Sequence, residues 1–444
     1  MTELATLTIG EALGMLATKE LSPRDILESQ RRVILRSNKK LHAFITLLPT
    51  GVKQTRRKGE LHGITVAVKD NIYVKGHRTT AGSKVFRNFV PAFDADVVKL
   101  LSAAGATLVG KTNLHEFAFG ATNINPHFGD CRNPWDDERI SGGSSGGSAV
   151  AVASGMACAA VGTDTGGSVR TPAALCGVVG YKPTYGLTSR RGVVPLAWSL
   201  DTVGFLTRCV SDAARLALLS FESKSSPTLR RPKPMPLKRT RIGVPRNILE
   251  PLDSEVRSSF ERSLELAEGE GARVVDVKFL HIEEIAASRS LITHAEAASY
   301  HREYFAAKFK DYGKDVRRRI AQGLAIPAVV YLDALRARSA LLEYYRSIFR
   351  RVDVLALPTT RIPAPTVKAS KSDRTAPGIR TALLGLTEPF NLFGAPSITI
   401  PCGLTRDGLP VGFQLAGDIY SDPAVLSFAL TLERLFPNVS LNAR

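Results

Sequence analysis

Two glycine-serine clusters constrain this chain more than any other feature: SGGSSGGSAVAVASGMA, starting at Ser141, and GTDTGGSVR, ending at Arg170. They set Ser144 and Ser168 24 residues apart. Glycine runs of this density break helices and strands, so both clusters are expected to be turns. Between them the small apolar residues predict a helix near Ser148 to Gly155 and a strand near Ala159 to Gly162. Upstream, Lys69 closes the apolar run ITVAVKD, which reads as a strand after the His62-Gly63 turn. That puts a lysine at a strand's carboxyl edge, where α/β sheets commonly assemble their sites.

The rest of the chain supports an α/β reading. The opening residues predict two helices within about residues 5–40. Thr8 with Glu11, and Ser22 with Pro23 and Asp25, carry start signals. Asp96 to Ala104 reads as a helix, Ala106 to Lys111 as a strand, Val178 to Tyr181 as a strand and Asp212 to Ser220 as a helix. Beyond a proline- and lysine-rich connection at Pro227 to Pro236, TRIGVPRNI predicts a strand and turn, and ARVVDVKF a further strand. Residues Ile282 to Arg350 are expected to be mostly helical, broken by the basic stretch Asp311 to Arg319 and by Pro327. Strands follow at Val352 to Leu357, PSITIPCG and VGFQLAG, and a helix at Pro423 to Leu435. No tandem repeat is present, which argues against solenoids and propellers.

The chain has 444 residues, 44% of them hydrophobic, which excludes whole-chain disorder. Lys plus Arg exceed Asp plus Glu by 59 to 41, a net +18. The positive residues form no aromatic-interleaved patch, so they read as solvated faces rather than a nucleic-acid site. Five scattered cysteines without a CxxC fit a reducing cytoplasm. No segment has the pattern of a secretory signal or a membrane span.

The chemistry lies in three residues. A serine hydroxyl needs a base, and a lysine can serve when burial and nearby cations keep its amine neutral. Thr165, Gly166, Gly167 and Ser168 can turn backbone N–H groups toward one point, where they would stabilise an oxyanion. Asp164 is expected to orient that loop through Arg170. A hydroxyl from the other cluster, Ser144 with Ser145 beside it, can relay a proton between nucleophile and base. Nucleotide-binding glycine patterns and the GxSxG elbow are absent. No Cys/His set has metal-ligand spacing, so neither cofactor nor metal is expected.

The blocks VAVKDNI, GGSSGGSAVAVA, GTDTGGSVRTPAALCGVVGYKPT, SLDTVGFLTR, VLALPTT and NLFGAPSITIPCGLTRDGLPVGFQLAG together resemble the amidase signature family. The resemblance implies Ser168 as nucleophile, Ser144 as a relay serine after a non-proline cis peptide from Gly143, and Lys69 as neutral base. Ser145 would help hold the cis turn. The implied fold is α/β, one large α/β/α domain around a twisted mixed sheet over residues 1–444. The helical region at about 280–350 would form a variable substrate wall, and Lys224 to Arg241 a connection.

A small-molecule amide is the implied partner, and a homodimer the family-level expectation. The competing branch is the glutaminase subunit of the glutamyl-tRNA amidotransferase, which works with tRNA partners. Its glutamine-reading aspartate would fall at Leu384, and its DGVRYG-like segment has no match after AEAASYHREYF. An apolar side chain cannot pair with an ammonium group, so the sequence favours a stand-alone amidase for small or aryl carboxamides. Tyr300, Tyr304, Phe305 and Phe393 are candidates for an apolar acyl pocket. A non-enzymatic basic scaffold on the same fold is the third reading.

Overall fold

In the computed structural model, residues 2–49, 59–221 and 232–441 are described. Residues 222–231 of the proline- and lysine-rich connection lie outside them. The strands are β1 (Phe44–Leu47), β2 (Thr65–Lys69), β3 (Thr107–Thr112), β4 (Ala159–Asp164), β5 (Val179–Lys182), β6 (Thr202–Thr207), β7 (Arg241–Val244), β8 (Arg273–Asp276), β9 (Val354–Pro358), β10 (Ser397–Leu404) and β11 (Pro410–Ala416). They form one 11-stranded sheet in the order β1-β3-β2-β4-β6-β5-β10-β11-β9-β7-β8. β2 runs parallel to β3 and β4, and β7 parallel to β8 and β9, while the central strands β4, β6, β5, β10, β11 and β9 pair antiparallel in turn.

Position in the sheet explains the composition of each strand. β2, β4, β6, β9 and β11 are buried along their whole length, and their sequences are correspondingly small and apolar. The edge strands β1 and β8 are only partly buried. The sheet is the mixed α/β architecture expected from the alternation of elements, and its faces are covered by helices.

The two N-terminal helices, Ile9–Ala17 and Pro23–Leu41, both start with reciprocal capping boxes. Asp212 extends the first cap's reach, because its carboxylate accepts from Ile9 N at 2.7 Å and Gly10 N at 3.2 Å. One sequence expectation needs correction. The basic stretch Asp311 to Arg319 is not a break throughout: a helix, Lys314–Leu324, already begins inside it. Arg319 there pairs with Asp315 at 3.0 Å, so its charge is neutralised within the helix. The block SLDTVGFLTR, for which the sequence predicts no element, contributes a central strand at Thr202–Thr207. At Pro327 the expected interruption is a bend of 94° into the helix Ala328–Ile348. Among the described residues no single helix is long and apolar enough to cross a membrane.

The sheet's active edge is fixed by a buried ion pair. Lys111 at the end of β3 lies 2.9 Å from Asp70, which follows β2, and both side chains are fully buried. Thr79 Oγ1 accepts a second bond from Lys111 Nζ at 2.9 Å, and Thr80 donates to Asp70 through its backbone N–H and its hydroxyl. Such a pair is kept in place by its complete hydrogen bonding, and removing one member strands the other. Lys111→Met is therefore expected to cost about 3–5 kcal/mol of stability. The double variant with Asp70→Asn is expected to cost clearly less. Urea denaturation of both proteins checks this, and equal losses would contradict it.

Candidate active site

β2 and β4 are parallel neighbours, with Val68 opposite Val161. Their carboxyl ends therefore deliver Lys69 and the Thr163–Asp164 pair to the same place. Lys69 Nζ lies 2.8 Å from Ser144 Oγ, 2.8 Å from Thr163 Oγ1 and 3.3 Å from the Thr163 carbonyl. Asn71 Nδ2 donates to the same Thr163 hydroxyl at 3.2 Å.

The first glycine-serine cluster meets this edge as a tight turn. The Gly143–Ser144 peptide is cis. A Cβ on Gly143 would stand 2.8 Å from Asn123 N, so only glycine fits this close approach. Ser145 ties the turn down: its hydroxyl donates to the Thr163 carbonyl at 3.1 Å, and its N–H donates to the Ser168 carbonyl at 3.0 Å. The helix Gly146–Ala153 follows, fully buried through Val152. No hydrogen bond joins Ser144 to Ser168 among the described residues, so the two loops are linked through Ser145.

The second cluster is organised by charge. Asp164 accepts from Gly167 N at 2.8 Å and Val169 N at 3.0 Å. Arg170 grips the same carboxylate through Nε at 3.0 Å and Nη2 at 2.9 Å, with neither side chain exposed. Its remaining donors reach the Thr387 carbonyl, Gln414 Oε1 and Asn391 Oδ1. Burial alone would raise the Asp164 pKa, but the Arg170 guanidinium, with help from Lys182 and Asn391, holds it well below the usual carboxylate range. Gly167 adopts φ 124°, and a Cβ there would collide with Thr387 Oγ1 at 2.1 Å.

This wiring decides which N–H groups are free. Gly167 N–H is committed to Asp164, which departs from the four-donor expectation. The N–H groups of Thr165, Gly166 and Ser168 have no protein acceptor among the described residues. Thr165 is steadied through its hydroxyl, 2.5 Å from Asp201 Oδ1, and the Gly166 carbonyl accepts from Thr387 Oγ1 at 2.7 Å. Burial lifts the Asp201 carboxyl to about 6, against the hydrogen bonds from Thr165, Ala197 and Leu196.

Lys69 is wholly buried, and that burial lowers its pKa to about 7, against the pull of Asp164 and Asp201. The sequence reading invoked neighbouring cations for this task. The charges that bear on Lys69 are instead carboxylates, and desolvation outweighs them. The amine thus reaches its neutral form near physiological pH, in contact with a serine hydroxyl. Two of its surroundings, Thr163 and Asp201, drew no role from the sequence, although both lie inside quoted motif blocks, GTDTGGSVRTPAALCGVVGYKPT and SLDTVGFLTR.

Three of the aromatic candidates, Tyr300, Tyr304 and Phe305, gather around Phe86, and the fourth, Phe393, stands apart. Phe393 stacks on Tyr345 at 4.4 Å in the main core. Tyr300 and Phe305 pack against a separate cluster containing Phe86 and Phe117, and Tyr304 is 39% exposed. The histidines flagged in the sequence serve packing and hydrogen bonding: His301 meets the Tyr312 hydroxyl at 3.0 Å, and His294 Nδ1 the Ser290 carbonyl at 2.8 Å. A cavity of about 290 Å³ is lined by Ala121, Thr122, His115, Asp315, Arg319 and Arg380 among others, and by none of Lys69, Ser144 and Ser168. Backbone atoms of Ala121 and Thr122 lie 3.3 Å from the Gly143 Cβ position, so two residues lining the cavity pack against the cis turn.

Comparison with known proteins agrees with this architecture. The family model Amidase matches residues 37–426. The chain is 38% identical to the A subunit of glutamyl-tRNA(Gln) amidotransferase from Thermosynechococcus vestitus, covering 97% of this chain and 98% of that protein. It is 35% identical to the same protein of Halothermothrix orenii, with the same coverage. Among solved structures, one described as an amidase superimposes with a TM-score of 0.88 at 34% identity, over 97% of this chain and 100% of that one. The glutamyl-tRNA(Gln) amidotransferase A subunit from Thermotoga maritima gives 0.85 at 36% identity, over 98% and 97%. A non-enzymatic scaffold has no place in this company. The chain belongs to the amidase signature family, enzymes that hydrolyse amide C–N bonds around a single mixed α/β domain.

Proposed function

We propose that the chain cleaves a small primary carboxamide through an acyl-enzyme on Ser168, with Ser144 as proton relay and Lys69 as base, and that the amide is of the glutamine type. The observation that carries the chemistry is the Lys69 amine, buried, brought to about 7 and held 2.8 Å from Ser144 Oγ. In its neutral form the amine has a lone pair for the Ser144 proton, while its own N–H groups donate to Thr163. Ser144 in turn takes the proton of Ser168 as that oxygen attacks the carbonyl carbon. The N–H groups of Thr165, Gly166 and Ser168 receive the oxyanion. On collapse the C–N bond breaks, and the proton returns through Ser144 to the departing nitrogen. Water then attacks the ester, and the same relay runs again to release the carboxylate.

Two findings support the glutamine-type reading over the aryl amide favoured on Leu384 alone. The curated relatives at 38% and 35% identity bear the name of an amidotransferase component. Phe393 stacks on Tyr345 in the main core, apart from Tyr300, Tyr304 and Phe305, so the four aromatic candidates do not close one aryl pocket. The name of those relatives extends the proposal to a partner that consumes the released ammonia, and the net charge of +18 is compatible with tRNA nearby. The stand-alone amidase is the second reading, favoured by Leu384, which is 6% exposed in an apolar cluster with Leu383 and Ala121.

Because only the neutral amine can accept a proton, acylation is expected to rise with pH through about 7 and then level off. Stopped-flow acylation across pH 5.5–9 measures this; a rate that falls as pH rises through that range would refute the base role of Lys69. On a panel of glutamine, an aryl acetamide and a short aliphatic amide, ammonia release is expected to be fastest from glutamine. Turnover of the aryl acetamide with none of glutamine would return the assignment to the second reading. Ser168→Ala is expected to abolish turnover on every member, a loss of at least about 10³-fold, and full activity in that variant would end the proposal.

A further inference from the structure

Over the nucleophile loop stands a charged group that the triad does not use. Arg289, from the helix Ile282–Ala307, sets Nη1 3.3 Å from the point where a Gly166 Cβ would stand, and Glu388 Cβ lies 4.0 Å from the same point. Arg289 Nη2 is 2.7 Å from Glu388 Oε2. The arginine is 6% exposed, and its buried Nε has no hydrogen-bond partner. A second guanidinium, Arg361, sits behind them: its Nη1 is 3.5 Å from the Cβ position of Gly385, three residues before Glu388, and is also buried without a partner.

Glu388 is ion-paired to Arg289 through Nη2, so the buried Nε of Arg289 is left without an acceptor in a side chain that reaches Gly166. Unpaired donors of this kind are costly, and a charged acceptor is what relieves them best. Gly166 is also one of the three residues whose N–H is free to receive an oxyanion. A group held by Arg289 would thus sit on the acyl side of the scissile bond, a short distance from the reacting carbon.

We propose that Arg289 binds a carboxylate carried by the acyl part of the substrate, with Glu388 orienting the guanidinium. The substrate class is then the monoamide of a short dicarboxylic acid, with roughly two or three methylenes between its carbonyl and its carboxylate. Glutamine is one member, and its ammonium group would find Glu388 beside the same arginine. This inference rests on the proposed acyl transfer at Ser168 and adds the feature by which the substrate is chosen.

The test compares kcat/KM for glutaric acid monoamide with that for pentanamide, its uncharged counterpart. The unaltered chain is expected to prefer the monoamide by about 100-fold, and Arg289→Met to bring the ratio close to one. Glu388→Gln leaves the guanidinium unoriented and is expected to lower the ratio several-fold while Ser168 labelling is kept, which a misfolded chain would lose. Labelling of Ser168 by a fluorophosphonate is followed in every protein. A chain that labels and turns over but shows no preference, or an Arg289→Met variant that keeps the preference, overturns the inference while leaving acyl transfer intact. A chain that neither labels nor turns over any amide removes the underlying reading and this inference with it.

Discussion

The buried contact between Arg170 and Asp164 is the constraint on which the site depends. Asp164 ends β4 and Arg170 opens the helix Arg170–Cys176, so the pair draws the nucleophile loop closed from both sides. An ion pair with no solvent contact is tolerated only when its other hydrogen-bonding groups are satisfied. Arg170 meets that condition by committing its remaining donors to Thr387, Asn391 and Gln414, which belong to the far half of the chain. Asn391 also donates to Asp164. One guanidinium thereby fixes the loop that bears Ser168 to the C-terminal strands, and the antiparallel centre of the sheet becomes part of the catalytic scaffold.

A second consequence is electrostatic. With Asp164 ionised and its charge answered by Arg170, the carboxylate's influence on Lys69 is moderated, and desolvation dominates the lysine. The same low-dielectric setting that makes Lys69 a usable base would make an unpaired substrate charge costly. That is why the group formed by Arg289, Glu388 and Arg361 matters. It offers charge complementarity in a region otherwise built from buried backbone, glycine and serine. The catalytic edge and the charged group meet at Gly166, whose lack of a side chain leaves room for both.

Much of this was legible in the sequence. The two glycine-serine clusters, the lysine at the end of β2 and the Asp164–Arg170 link are local features, carried by residues within a few positions of one another, while the cis turn at Ser144 is implied by the family resemblance. The capping boxes at Thr8 and Ser22 are local in the same sense. The missing parts depend on long-range contact. Thr163 bonds to Lys69 across two strands, Asp201 reaches Thr165 from another strand's start, and Arg289 meets Glu388 from about a hundred residues away. Leu384 by itself points away from a zwitterionic substrate, and nothing in its sequence neighbourhood announces that Glu388, one hydrogen-bonded turn later, is paired to a distant arginine. The basic run ending at Arg319 hides a helix for the converse reason: Asp315 pairs with Arg318 and Arg319 one turn along it.

The proposed chemistry stands on a covalent bond to one particular serine. Rapid acid quenching during turnover of a glutamine-type amide, followed by peptide mapping by mass spectrometry, reads that bond directly. The expected result is an acyl group on Ser168, in the peptide shared with Arg170, and none on Ser144 or Ser145. An acyl group on Ser144, or steady turnover with no acylated serine at any quench time, would contradict it.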